Sequence, residues 1–244
     1  EKMQIRFLKG ALKKKDLAIL DLLVTTNWER PIYLNNTSLS QINLDLSPYA
    51  VQEGNAYRIL PIRNPRRDRD FLVDTEKTFD NMINKFRYSG LDDETIYFSE
   101  DYRGFVLNHR SSLNSLAEAL IDEGQMEKAN TVLEFSLTKM PDRVIPYDHT
   151  IATTVDLLFK VGQKEKAVEI AKLLGDRADE MATYLIEEDY GLSQELRRNI
   201  FILNSLQRTL YENGEMELGK KYEDAFNKHV SSLQLGGAVE RSQY

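Results

Sequence analysis

Apolar residues in the second half of the chain recur at three- and four-residue spacing, the period of helices buried on one face. Leu113, Leu116, Ala117 and Leu120 form one such stripe, continued by Gly124, Ala129 and Leu133 and closed by Pro141. Ile151, Thr154, Val155 and Leu158 repeat the stripe, with Gly162, Ala167 and Ala171 behind them. A third copy starts at Leu203, Leu206 and Leu210 and continues through Gly214, Gly219 and Phe226. This order predicts helical hairpins. Glycine marks each inter-helix turn, where positive φ is needed, and a small residue marks each close helix crossing. The intervals between turn glycines, 38 and 52 residues, are unequal. A separate short helix around Met181 to Ile186 is expected to fill the longer one. Residues 236–244 are expected to form an unstructured tail.

The first part reads differently. Lys13 to Thr26 alternates as an amphipathic helix, with Leu17, Ile19, Leu20, Leu23 and Val24 as its apolar positions. Arg30 to Leu34 and Tyr57 to Ile62 read as strands, with Pro48 to Glu53 as helical turns stopped by Gly54 between them. Two strands joined by a helical crossover predict a small βαβ-like, parallel unit. Asp74 opens a helix through about Arg87, and Thr95 to Phe98 is a candidate third strand. The fold class that follows is mainly α: irregular helical hairpins over 109–235, preceded by a small α/β segment over 1–108.

Charge supports that division. Residues 1–110 carry 17 basic and 16 acidic side chains, whereas 111–244 carry 15 and 23. The overall formal charge of −7 argues against a nucleic-acid partner, which needs a basic footprint. No run approaches the ~20 apolar residues of a membrane-spanning helix. The chain opens on Glu1 with no initiator Met or leader, and is expected to be a soluble piece of a longer protein.

Candidate chemistry is sparse. Zero Cys excludes disulfides, thiolate zinc sites and a Cys nucleophile. No glycine-rich phosphate loop, nucleophile elbow or His-Glu-x-x-His motif occurs. Asp92-Asp93-Glu94 and Glu187-Glu188-Asp189 read as solvated charge, since adjacent residues diverge on a helix. His149 reads as a helix cap or interface residue, and His109 and His229 lack a partner at recognisable spacing. No catalytic, cofactor or metal residues are nominated. Arg58, Arg63, Arg66, Arg67 and Arg69 crowd twelve positions and are candidate contacts for an anionic ligand or partner. The only tryptophan, Trp28, lies in Asn27-Trp28-Glu29-Arg30-Pro31-Ile32-Tyr33 and is expected to anchor the first helix, with Arg30 paired to Glu53.

The hairpin pattern resembles tetratricopeptide repeats, with Gly124, Ala129, Gly162, Ala167, Gly214 and Gly219 at the repeat-defining positions. The stretches Asp16 to Tyr33, Glu53 to Ile62 and Val73 to Arg87 resemble the soluble C-terminal portion of a family of large bacterial membrane proteins. That family is similar to GT-C-type glycosyltransferases, including protein O-mannosyltransferases. The resemblance spans about residues 10–145 and makes Trp28, Arg30, Tyr33 and Glu53 family-motif residues with a structural role. It implies a non-catalytic domain on the periplasmic side of an inner membrane, beside the membrane region of its own parent chain. The repeats would bind an acceptor polypeptide or a partner subunit. Two alternatives remain at this stage. The arginines could complete a membrane active site by contacting a lipid-phosphate sugar donor, or the domain could be a structural cap without a ligand.

Overall fold

One long helix forms the wall shared by a small sheet and a run of helical hairpins. The computed structural model describes residues 3–8, 10–66 and 68–241, with backbone alone over 234–241. Helix α1 (Lys14–Thr25) begins where Asp16, fully buried, accepts hydrogen bonds from the backbone N–H groups of Lys13 and Asn43, both at 2.8 Å. One carboxylate thus caps the helix and ties it to the loop that leads into the second strand of the sheet. Leu23 is buried and Ile19 and Leu20 are partly so, while Leu17 and Val24 face outward.

The sheet has four short strands: β1 (Ile32–Asn35), β2 (Ala50–Gln52), β3 (Ala56–Ile59) and β4 (Leu72–Val73), in the order β1-β3-β2-β4. β1 and β2 both pair antiparallel with β3, and only β2–β4 is parallel. The parallel βαβ expectation is therefore wrong. Helix α2 (Asn36–Gln41) follows β1, capped by the Asn35 side chain, which accepts from Ser38 N at 2.6 Å. The predicted turns at 48–53 are a 3₁₀ turn (Ser47–Tyr49) running into β2. Gly54, at φ +106°, closes the β2–β3 hairpin instead of ending a helix. A positive-φ glycine suits both roles, so local sequence does not separate them. Thr95 to Phe98 forms no strand: Asp93 Oδ1 accepts from both the N–H and the hydroxyl of Thr95, and this local turn replaces ladder pairing. The helix opened by Asp74 is α3 (Thr75–Phe79), which continues as a π-helical segment over Asp80–Lys85.

The remaining helices are α4 (Glu100–Asp122), α5 (Met126–Lys139), α6 (Thr150–Lys160), α7 (Lys164–Glu187), α8 (Gln194–Glu212) and α9 (Met216–Arg241). Three identical turns join α4–α5, α6–α7 and α8–α9. In each, glycine lies at positive φ (Gly124 +74°, Gly162 +84°, Gly214 +80°). Its N–H bonds the carbonyl three residues back, and the next N–H (Gln125, Gln163, Glu215) bonds the carbonyl five residues back. This is the Schellman arrangement, which satisfies the orphan carbonyls of the ending helix. Ala117, Ala129 and Ala167 are fully buried, and a Cβ on Gly219 would stand 3.0 Å from the Tyr211 ring. Ala129→Leu should therefore overpack the first hairpin by about 1–3 kcal/mol, read as a lowered denaturation midpoint with an unchanged slope.

Three expectations about boundaries change. The extra helix at 181–186 is the C-terminal part of α7, whose uninterrupted 24 residues fill the longer interval. Residues 236–241 continue α9, because extending an existing helix needs no new nucleus, and 242–244 lie outside the described residues. The apolar core divides near residue 72, not at 108. Val73, Phe79 and Met82 pack with the hairpins, while Leu23 through Ile59 form the sheet core. α4 bonds both sides: Gln52 Nε2 donates to Ser112 O at 3.0 Å, and Thr75 Oγ1 to Glu123 at 3.0 Å. Among the described residues no helix is long and apolar enough to cross a membrane.

Candidate functional site

The first helices of the three hairpins, α4, α6 and α8, lie side by side. A buried bond series ties α4 to α6: Asn114 Nδ2 donates to Thr150 O and Thr154 Oγ1 to Asn114 Oδ1, both at 2.9 Å. Between α6 and α8 lies a cleft of about 300 Å³ lined by Ala152, Thr153, Asp156, Lys160, Phe201, Ser205, Arg208, Thr209 and Glu212. Phe201 is 53% exposed there, off the apolar stripe of its helix. Lys160 bonds Asp156 at 2.7 Å. That bond, with Glu118 and Asp122 of α4 adding to it, raises the Lys160 pKa above the usual lysine value.

Those carboxylates hold two of the five arginines. Arg69 spans Glu118 and Asp122 at 2.5 Å each, and Arg66 bridges Asp122 at 3.0 Å and Asp68 at 2.7 Å. Hydrogen bonds from Arg66 hold Asp68 below the usual carboxylate range. Both arginines are thus paired with carboxylates. Arg58 belongs elsewhere, facing Glu53 at 3.6 Å. Arg63 is exposed and has no ion pair among the described residues, and Arg67 lies outside them. Arg63, Arg66 and Arg69 thus line one broad cleft, with the last two paired to carboxylates, while Arg58 lies apart beside Glu53.

Glu53 occupies the β2–β3 turn, 8% exposed, and collects three partners. Tyr33 Oη donates to its Oε2 at 2.5 Å, Lys77 Nζ lies 2.7 Å from the same oxygen, and Arg58 faces Oε1. Burial alone would raise the Glu53 pKa, but the Lys77 and Tyr33 bonds outweigh it and hold the carboxyl below its ordinary value. The same bond pushes the Tyr33 phenol up. The expected Arg30–Glu53 pair does not form. Arg30 is exposed, because Asn27 and Trp28 both turn through positive φ (46° and 63°) and swing it outward. Trp28 is half-buried against the sheet core, as an anchor should be. Glu53→Gln should cost about 1–3 kcal/mol at neutral pH. A depressed carboxylate pKa adds stability that is complete above the unfolded-state pKa and lost as pH falls through the folded one. Urea titrations against pH should show that acid-side loss shrinking in Glu53→Gln.

His229, His109 and the 92–94 run make contacts within the fold. His229 Nε2 bonds Asp179 at 2.7 Å between α9 and α7, a pairing across 50 residues that spacing could not reveal. His109 Nδ1 contacts Asn55 Nδ2 at 2.6 Å, and burial lowers its pKa. His149 precedes α6 without a side-chain cap bond; Asp148 caps the helix instead, accepting from Thr150 N at 2.7 Å. Asp92 pairs with Lys139 at 2.9 Å and Glu94 with Arg143, while Glu187, Glu188 and Asp189 are exposed. Among the described residues no group of three His, Cys, Asp or Glu could hold a metal. Phe201, Lys160 and Arg208 were missed from sequence. Their signal was an aromatic outside the apolar stripe of a helix rich in arginine.

Residues 1–77 match the family model TMEM260-associated domain 2, a domain of a membrane-protein family. The matched segment covers the sheet unit and enters α3. No curated protein matches the chain, and no solved structure does.

Proposed function

We propose that the chain is a non-catalytic interaction domain, tetratricopeptide-like in its helical part, that binds an extended polypeptide along α4, α6 and α8. The observation that carries this reading is Phe201, a large aromatic exposed in a cleft whose rim alternates Asp156, Lys160, Arg208 and Glu212. An aromatic anchor ringed by charges of both signs suits a peptide, whose side chains and backbone offer apolar and polar groups in alternation. The three matching turns and close crossings support the repeat assignment. The resemblance of residues 10–145 to the glycosyltransferase-like membrane proteins supports an extracytoplasmic, periplasmic placement beside the membrane region of a parent chain. The match at residues 1–77 is consistent with such a parent. A lipid-phosphate site built from the arginine cluster is the weaker reading, because Arg66 and Arg69 already face carboxylates.

A displayed random-peptide library panned on the intact chain tests the peptide reading. Selected peptides should lose about tenfold in affinity on Phe201→Ala, on the scale of an interface hot spot, and should be weakened by Arg208→Glu. Peptides whose binding ignores both substitutions, or no enrichment at all, would sink it.

A further inference from the structure

One edge of the sheet unit carries a different kind of surface. Residues 1–71 hold 12 Lys and Arg against 8 Asp and Glu, whereas 72–244 hold 20 against 31. Three irregular segments of the sheet unit are drawn side by side by backbone bonds. Leu8 N donates to Asn43 O at 3.0 Å, Asp45 N to Arg6 O at 2.8 Å and Asn64 N to Pro48 O at 2.7 Å. These bonds place Arg6, Phe7 and Leu8 on one side of the 43–49 segment and Ile62 and Arg63 on the other. Arg6, Leu8 and Arg63 all line the broad cleft between them. Phe7, Leu8 and Ile62 are 53%, 51% and 66% exposed. Arg6 contacts Asp45 but keeps 78% of its side chain in solvent.

We propose that this edge docks on an anionic lipid bilayer. Leu8 and Ile62 enter the boundary between headgroups and acyl chains, and Arg6 and Arg63 reach lipid phosphates. Apolar side chains beside long cationic ones on irregular backbone are what an interface with a graded polarity accepts, because the arginine stems lie along the apolar layer while their heads stay at the phosphates. An acidic protein surface would satisfy the arginines but leave Leu8 and Ile62 without pockets. The charge asymmetry of the chain sets the orientation. An anionic surface attracts the sheet unit and repels the helices. The proposal rests on a different surface from the peptide cleft and does not depend on it.

Flotation of the intact chain with phosphatidylcholine vesicles containing phosphatidylglycerol, against phosphatidylcholine alone, tests it. Binding should require the anionic lipid and weaken with added salt. It should fall roughly fivefold for each of Arg6→Ala and Arg63→Ala, and about tenfold for Leu8→Ser combined with Ile62→Ser. These positions are exposed, so melting curves of the variants should overlay the parent and exclude misfolding as the cause. Equal binding to neutral vesicles, or binding indifferent to the four substitutions, would overturn the proposal. Competition by inorganic phosphate at constant ionic strength would overturn it in favour of a discrete phosphate site. Capture on immobilised polyglutamate without any vesicle binding would overturn it in favour of an acidic protein.

Discussion

Arg110→Met should destabilise the protein by about 3–5 kcal/mol, the scale of removing one partner from a buried, hydrogen-bonded charge. Arg110 is 1% exposed in the middle of α4 and holds the whole connection from α5 to α6. Its NH2 donates to the carbonyls of Met140 at 3.0 Å and Ile145 at 2.8 Å. Its NH1 donates to Pro146 O at 3.1 Å and to Asp148 at 2.5 Å, and the guanidinium lies 5.3 Å from the Tyr147 ring centroid. Methionine would fill much of the volume but leave three carbonyls without this donor and Asp148 Oδ2 without its cation, each costly when desolvated. Lysine should not rescue, because one ammonium cannot reproduce the planar fork. Equilibrium urea denaturation provides the measurement. Arg143→Ala, at an exposed pair with Glu94, should change stability by less than about 0.5 kcal/mol and serves as the control. Near-parental stability of Arg110→Met would refute the clamp.

Gly175→Ala in α7 should cost about 3 kcal/mol, although alanine is worth ~1 kcal/mol more than glycine in a helix interior. A Cβ at 175 would meet the Tyr222 ring at 2.3 Å, far inside contact distance. Tyr222 cannot retreat. It is fully buried in α9, and its hydroxyl donates to Asp176 Oδ1 at 2.8 Å and Lys172 O at 3.2 Å. Burial, reinforced by the Asp176 bond, pushes that phenol's pKa far above the ordinary tyrosine value. Combining Gly175→Ala with Tyr222→Leu in a double-mutant cycle should give a coupling energy that offsets much of the alanine penalty. Additive effects would show that the ring and the helix backbone are not in the close contact described.

Chain-local chemistry was enough for the helical hairpins and for their turns. Leu113, Leu116, Ala117 and Leu120 share a face because helical geometry puts them there, and all four are fully buried. Gly124, Gly162 and Gly214 announce turns because each has a positive φ that side chains disfavour. The helix over 14–25 and the strands at Ile32 and Tyr57 were legible for the same reason: their cause lies within a few residues. Pairing partners lay beyond that reach. Ala50 to Gln52 is a strand because Tyr57 and Arg58 lie opposite it, and β4 is a two-residue strand only because β2 is beside it. The candidate site divides the same way. An aromatic off its stripe, Phe201, could be flagged from spacing, but its cleft exists only because α6 and α8, some 45 residues apart in sequence, lie side by side. Arg66 and Arg69 were conspicuous as charge and were read as free, since Glu118 and Asp122 lie about 50 residues downstream. Glu53 was singled out correctly, yet Tyr33, Lys77 and Arg58 meet it where Arg30 was expected, because two left-handed residues at 27 and 28 redirect the chain. Arg110 gave no local sign at all. A buried arginine looks like a surface one until the loop that it grips, 30 to 38 residues away, is folded against it.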